Sequence, residues 1–102
     1  MESLIDKLKY NNSEIIVLTD KNNKSWFNAY DISIILGYVD PPNIIKKLVN
    51  KKYRKYLKDI FKDYKLYPNA QPNSIYLDEA GLYTLLIRSR KKEAQQFFDW
   101  II

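Results

Sequence analysis

The hydrophobic pattern of this chain changes at Tyr30, and this change limits the fold more than any other feature. Before it, residues 14–18 form a short β-branched run that is typical of a strand. Residues 24–28 predict a returning strand after turn-forming residues, and Trp26 within it is expected to cover the core. After Tyr30, apolar residues recur at helical spacing. We therefore expect an α+β fold, with a small antiparallel β-hairpin or sheet and four to five short helices.

Two short helices joined by a turn are predicted over residues 31–49. Asp31 is expected to cap the first, and Gly37 lies where a helix often ends. Asp40, followed by two prolines, predicts the start of the second, since proline lacks an N–H that the first turn leaves unpaired anyway. This helix-turn-helix-like element would bury one stripe and turn a basic, amide-bearing face outward. A helix pair of an ordinary α+β domain is the alternative. The stripe consists of Ile44, Ile45, Leu48 and Val49.

Two stretches of the chain allow more than one interpretation. Residues 1–10 fit either a helix after a Ser3 cap or an edge strand. From Tyr53 to Tyr64, aromatic and aliphatic residues repeat at helical spacing, which predicts a further amphipathic helix. Its aromatic residues could stack on bases, but their spacing favours a buried stripe.

The last third of the chain predicts a loop, a strand and two helices. Residues 67–73 are rich in proline and asparagine, and residues 74–77 are strand-like. Asp78 is expected to cap a helix in which Gly81 permits close packing, and Ser89 to cap the final helix. The apolar stripe of that helix runs to the end of the sequence. We therefore expect residues 1–102 to be a single domain from the N-terminal part of a longer protein.

The positive charge of the chain is concentrated in one segment. Residues 44–65 carry nine basic and two acidic side chains, a net charge of +7, whereas the remaining residues sum to −2. Such a distribution indicates a site for phosphates. A solvated lysine-rich face is the alternative, since the chain is also rich in asparagine, isoleucine and tyrosine, as in proteins from AT-rich genomes. Arg88, Arg90, Lys91 and Lys92 form a second basic cluster.

Several functional classes are excluded by residues that the chain lacks. Without cysteine or histidine it has no disulfide, no thiolate-bound zinc and no Ser-His-Asp or Cys-His nucleophile. The acidic residues are scattered, and its two glycines stand alone, so neither a metal site nor a glycine-rich phosphate loop is predicted. No apolar run approaches the ~18 residues of a membrane span. We expect a protein that is not an enzyme, has no cofactor and is intracellular.

Two motifs resemble the Bro-N domain, the N-terminal domain of the baculovirus repeated open reading frame family. The first reads Trp-Phe-Asn-Ala-Tyr-Asp-Ile at residues 26–32, followed by Leu-Gly-Tyr at 36–38 and Pro-Asn at 42–43. The second reads Ile-Tyr-Leu-Asp-Glu-Ala-Gly-Leu-Tyr at 75–83, then Leu-Ile-Arg-Ser-Arg-Lys at 86–91 and Asp-Trp-Ile at 99–101. The resemblance covers residues 14–102. It implies an α+β domain that binds single- or double-stranded DNA and acts in viral or host gene regulation or replication.

Charge and resemblance together predict a DNA-binding module of a viral Bro-like protein that acts mainly through phosphates. In a viral setting it would lie in the host nucleus or in cytoplasmic viral factories. The alternative is an antirepressor-type module that dimerises or binds another regulatory protein, since aromatic residues are enriched at interfaces. The residues predicted to contact DNA are Asn43, Lys46, Lys47, Asn50, Lys51, Lys52, Arg54, Lys55, Arg88 and Arg90.

Overall fold

The computed structural model describes residues 4–66 and 70–101. Within these ranges, five strands form one antiparallel sheet in the order β1-β2-β3-β5-β4, so β1 and β4 lie at opposite edges. The predicted α+β fold is confirmed. For residues 4–10 the structure decides in favour of a strand, and residues 1–3 lie outside the described ranges. The strands are β1 (Leu4–Tyr10), β2 (Ser13–Thr19), β3 (Ser25–Asn28), β4 (Arg54–Tyr56) and β5 (Ile75–Leu77).

Asparagine and aspartate side chains shape the two turns of the β1-β2-β3 meander. Asn11 and Asn12 both have positive φ angles, which a two-residue type I′ turn requires. Between β2 and β3, the Asp20 carboxylate accepts hydrogen bonds from the backbone N–H groups of Asn22 and Lys24 and from the Trp26 indole. Burial raises the pKa of the Asp20 carboxyl, but these hydrogen bonds outweigh it and the net pKa is lowered. The predicted hairpin over residues 14–28 is confirmed.

Five α-helices surround the sheet in the described ranges: α1 (Ala29–Ile35), α2 (Pro41–Leu48), α3 (Leu57–Ile60), α4 (Glu79–Arg88) and α5 (Lys92–Ile101). Two 3₁₀ helices span Lys51–Tyr53 and Tyr64–Leu66. No helix in the described part of the chain is both long and apolar enough to cross a membrane.

Asp31 does not cap α1, contrary to the prediction. The cap is Asn28, whose side-chain oxygen accepts a hydrogen bond from the Asp31 backbone N–H at 3.0 Å. The Asp31 carboxylate instead reaches β2 and accepts the Ile16 N–H at 3.0 Å. Burial raises the pKa of this carboxyl, and the nearby charge of Glu14 adds to the effect. Gly37 follows the helix with φ of 81°, as its predicted place at the helix end requires.

Asp40 precedes α2 as predicted, but its carboxylate does not cap the backbone. It accepts a hydrogen bond from the Asn43 side-chain nitrogen at 2.6 Å. The predicted apolar stripe is confirmed: Ile45 and Val49 are buried, and Ile44 and Leu48 are partly buried against the main core.

Both faces of the sheet are covered. One face packs Ile15, Val17, Phe27 and Leu77 against α1, α2, α4 and α5. The alternating residues of the same strands form a smaller second core with α3 and the residue after it. That second core contains Leu18, Trp26, Leu57, Phe61 and Tyr76. The predicted core position of Trp26 is confirmed, since it is only 3% exposed.

The amphipathic helix predicted from Tyr53 to Tyr64 is wrong. The segment changes conformation repeatedly: a 3₁₀ helix ends at Tyr53, β4 covers Arg54–Tyr56, and α3 covers Leu57–Ile60. The reason is that, without β4, the strand β5 would pair only with β3. Backbone pairing of Arg54 with Leu77 and of Tyr56 with Ile75 occupies the other side of β5 and completes the sheet edge. Of the supposed apolar stripe, Leu57 and Phe61 are fully buried.

The C-terminal third matches most of its predictions. Asp78 caps α4 by accepting the Gly81 N–H at 2.8 Å. The predicted loop is confirmed for residues 70–73, and residues 67–69 lie outside the described ranges. Ser89 is wrong as the cap of the final helix, because α5 begins only at Lys92. Its backbone ends α4, and its hydroxyl forms a 2.7 Å hydrogen bond with the Tyr38 hydroxyl.

Candidate nucleic-acid interface

The outer side of α2 carries the first group of predicted DNA contacts. Lys46 and Lys47 are exposed opposite the buried Ile45, so the amphipathic pattern leaves both ammonium groups to solvent. Asn43 is exposed on the first turn, but its side-chain nitrogen donates to Asp40. The two lysines are therefore better placed than Asn43 to contact a ligand.

Two arginines close the C-terminal end of α2. Arg88 donates from Nη1 to the carbonyl oxygen of Leu48 at 2.8 Å, and Arg54 donates from Nε to that of Val49 at 3.1 Å. Cations at this end of a helix satisfy free carbonyl groups and stabilise the helix dipole. Both residues were predicted to contact DNA. The structure gives each of them a role in holding α2 against β4 and α4.

The basic surface continues past α2 into the 3₁₀ helix and β4. Asn50 begins the 3₁₀ helix, and its side-chain oxygen accepts the Lys52 backbone N–H at 3.0 Å. Lys51, Lys52 and Lys55 are exposed. Lys51, Arg54 and Lys55 line a depression of about 420 Å³, which also contains the carboxylate-bearing Asp59.

We call the exposed lysines of α2, the 3₁₀ helix and β4 the basic face. In the described part of the chain, none of its members lies within ion-pair distance of a carboxylate. The Lys55 ammonium lies 5.8 Å from the centre of the Trp26 ring, and that of Lys52 lies 5.0 Å from the Tyr53 ring. The face therefore presents five positive charges that have no described acidic partner. Its members are Lys46, Lys47, Lys51, Lys52 and Lys55.

A cleft of about 590 Å³ lies between α2 and the β4-β5 edge, and we call it the Tyr56 cleft. Its apolar floor includes Ile45 and Ile75, and its rim includes Lys46 and Lys58. Tyr56 and Ile75 also line the depression beside Lys51, so the two concavities adjoin. The cleft thus connects the outer face of α2 to the basic residues of β4.

Arg90 lies elsewhere. It is exposed and lines a separate hollow of about 520 Å³ between α4 and α5, together with Lys91 and Lys92. The Lys91 side chain makes contacts within the fold: its ammonium donates to the Gly37 carbonyl at 3.1 Å and lies 4.8 Å from the Tyr38 ring centre. The structure therefore places eight of the predicted residues on the consecutive elements α2, the 3₁₀ helix and β4 or directly between them, and leaves Arg90 outside them. Arg88 belongs to α4 and contacts the end of α2.

The predicted DNA contacts did not include Tyr30, Tyr56 and Lys58, all of which line the Tyr56 cleft. Tyr56 was assigned to a buried helical stripe, but on the strand β4 its side chain is 37% exposed. Tyr30 is 58% exposed on the first turn of α1. Arg54, Lys55 and Tyr56 show no alternation of apolar and polar residues, so the strand had no signal in the sequence.

A family model and one relative point to the same family. The model of the BRO family N-terminal domain matches residues 14–102. Protein 201R of Invertebrate iridescent virus 6, whose name assigns it a Bro-N domain, is 30% identical over 92 residues, covering 74% of this chain and 22% of that protein. An uncharacterized protein of Haemophilus influenzae is 31% identical over 91 residues, covering 83% of this chain and 39% of that protein. The chain therefore spans well under half the length of these relatives.

A solved structure shares the fold. The N-terminal domain of Orf22, a Cydia pomonella granulovirus envelope protein, matches with a TM-score of 0.69. The match covers 98% of this chain and 95% of that one, at 14% sequence identity. At this identity the likeness concerns the arrangement of strands and helices alone.

Proposed function

Since this chain belongs to the Bro-N family, the N-terminal domain of the BRO family, we propose that it is a DNA-binding module whose basic face binds the phosphates of DNA. The family match confirms the resemblance of the two sequence motifs to the Bro-N domain. We further propose that the module serves a longer Bro-like protein in viral or host gene regulation or replication. The proposed activity is binding without catalysis.

The observation that carries this proposal is the set of exposed lysines that have no acidic partner among the described residues. Lys46 and Lys47 project from a helix whose other side is anchored in the core by Ile45 and Val49. The helix end is held in turn by two arginines, so the lysines are presented by a rigid element. Phosphate contacts by such lysines release condensed counterions, which makes binding favourable at low salt and independent of sequence.

The test is a titration of random double-stranded DNA at several salt concentrations. If the basic face and its neighbours neutralise about four to six phosphates, log affinity falls with log salt at a slope of about −0.9 per phosphate. Between ~50 and ~200 mM salt the affinity should drop by about a hundred- to a thousandfold. An affinity that stays constant over this range refutes phosphate-driven binding.

A pair of matched variants locates the contacts. Lys46→Gln with Lys47→Gln should lower the steepness of the salt slope by about two, since each phosphate contact contributes about 0.9. The control is Lys9→Gln with Lys21→Gln, which removes the same charge from exposed sites on β1 and in the turn between β2 and β3, outside the basic face. Equal slopes for the two variants would mean that the total charge matters and the basic face does not.

A protein-binding module is the second candidate, and one observation favours it. Val39, at the tip of the α1-α2 turn, is 99% exposed, and Ile87 near the end of α4 is 70% exposed. Covering exposed apolar side chains with another protein is favourable, because it removes them from water. Binding through them would depend weakly on salt, so the same titration separates the two candidates.

A further inference from the structure

Two tyrosines lie in the Tyr56 cleft with much of their rings open to solvent. Tyr30 is 58% and Tyr56 37% exposed, whereas the neighbouring sheet aromatics Trp26, Phe27 and Tyr76 are buried. Both exposed rings are held by regular structure, Tyr30 on the first turn of α1 and Tyr56 at the end of β4. Tyr30 therefore gains little from core packing, and both residues keep exposed surface that can contact a ligand.

The chemistry of the cleft fits a flat base with a backbone phosphate on either side of it. Its floor is apolar, with Ile45 and Ile75, and its rim bears the ammonium groups of Lys46 and Lys58. The Lys58 ammonium lies 5.9 Å from the centre of the Tyr56 ring, so ring and charge are adjacent. None of the described residues that line the cleft is acidic, so the site is complementary to an anion. Its volume of about 590 Å³ lies within the range of small-ligand sites.

We propose that the Tyr56 cleft holds one unpaired base of single-stranded DNA, stacked on the ring of Tyr30 or Tyr56. Lys46 and Lys58 then contact the phosphates that flank this base. The proposal rests on the proposed DNA binding and adds a base-contacting subsite to it. Every base has a flat π face, so stacking of this kind tolerates any sequence.

The first test compares two probes with the same phosphates. A short oligothymidylate and an abasic oligonucleotide of equal length are titrated with the unmodified protein at the same series of salt concentrations. The proposal predicts that oligothymidylate binds about five- to a hundredfold more tightly, the range measured for stacking one base on an aromatic ring. Equal affinity for the two probes overturns the proposal without any variant having to fold.

The second test assigns the difference to the two rings. Tyr30→Leu and Tyr56→Leu remove the aromatic face and keep an apolar side chain, so at least one of them should reduce the preference for oligothymidylate. Tyr30→Phe and Tyr56→Phe keep the ring and should retain it. Trp100→Leu is the control, because Trp100 is 45% exposed but packs near Tyr10 and Phe97, outside the cleft. A preference lost equally in Trp100→Leu, or kept in both tyrosine-to-leucine variants, counts against the cleft.

The outcomes separate this proposal from the one on which it rests. If both probes bind equally and with a steep salt slope, phosphate binding stands and the base subsite is refuted. If neither probe binds at low salt but random double-stranded DNA does, the subsite is refuted and phosphate binding stands; if none of the three binds, DNA binding itself is refuted and the subsite with it. If oligothymidylate is preferred and the leucine variants abolish the preference without changing the affinity for the abasic probe, both proposals are supported.

Discussion

Replacing Gly81 by alanine is expected to destabilise the protein, although alanine is the better helix former. In the middle of a helix this change normally stabilises by about 1 kcal/mol. In α4, however, a Cβ atom at position 81 would lie 2.6 Å from the Tyr53 backbone oxygen and 3.2 Å from the Cβ atoms of Tyr53 and Leu77. Carbon atoms pack favourably only at about 3.5–4.0 Å, so the backbone at Tyr53 must move.

The cost follows from what that movement disturbs. Overpacking of a tight contact costs about 1–3 kcal/mol. The Tyr53 carbonyl also accepts a hydrogen bond from the Asp78 N–H at 3.2 Å, and losing it costs about 1 kcal/mol. This loss offsets the gain in helix propensity. The net destabilisation is therefore about 1–3 kcal/mol, and each kcal/mol lowers the melting temperature by about 4–8 °C for a domain of this size.

The measurement is urea unfolding of Gly81→Ala beside the unmodified protein, followed by far-UV circular dichroism. Gln96→Ala, at an exposed position of α5, is the control and should change stability by no more than about 0.5 kcal/mol. A Gly81→Ala protein that is more stable than the unmodified one would refute the close approach of α4 to the 3₁₀ helix.

Two further predictions concern Trp26 and a pair of carboxylates. Trp26→Ala should cost about 3–5 kcal/mol in unfolding titrations, because the ring is buried; unchanged stability with lost DNA binding would place Trp26 in the site instead. The pKa of Asp31 is raised, so its contribution to stability is present below the ordinary value of 3.8 and lost as pH rises through the folded pKa. The stability of Asp31→Asn should therefore increase relative to that of the unmodified protein over that rise in pH. The pKa of Asp20 is lowered, so Asp20→Asn should instead gain as pH falls below 3.8. Denaturation midpoints at several pH values check both signs, and identical slopes for the two variants would contradict them.

Local patterns in the sequence were sufficient for most elements. The β-branched run before Thr19 and the apolar stripes of α2, α4 and α5 predicted those elements, since periodicity of buried side chains is a property of the chain itself. The choice between capping residues depended on a tertiary contact. Asn28 and Asp31 are both suitable capping residues. Asn28 caps α1, because the Asp31 carboxylate accepts a hydrogen bond from the Ile16 N–H of β2 instead.

Tertiary structure alone decided the conformation of the basic segment and thus the shape of the candidate site. The spacing of aromatic residues from 53 to 64 fits a helix, but β5 offers an unpaired edge, and backbone pairing with it makes residues 54–56 a strand. That pairing turns Tyr56 outward and places it beside Lys46 and Tyr30, which are distant in sequence. The charge of this surface could be counted from the sequence. The cleft could not be foreseen, because long-range hydrogen bonds at a sheet edge outweigh a local helical pattern.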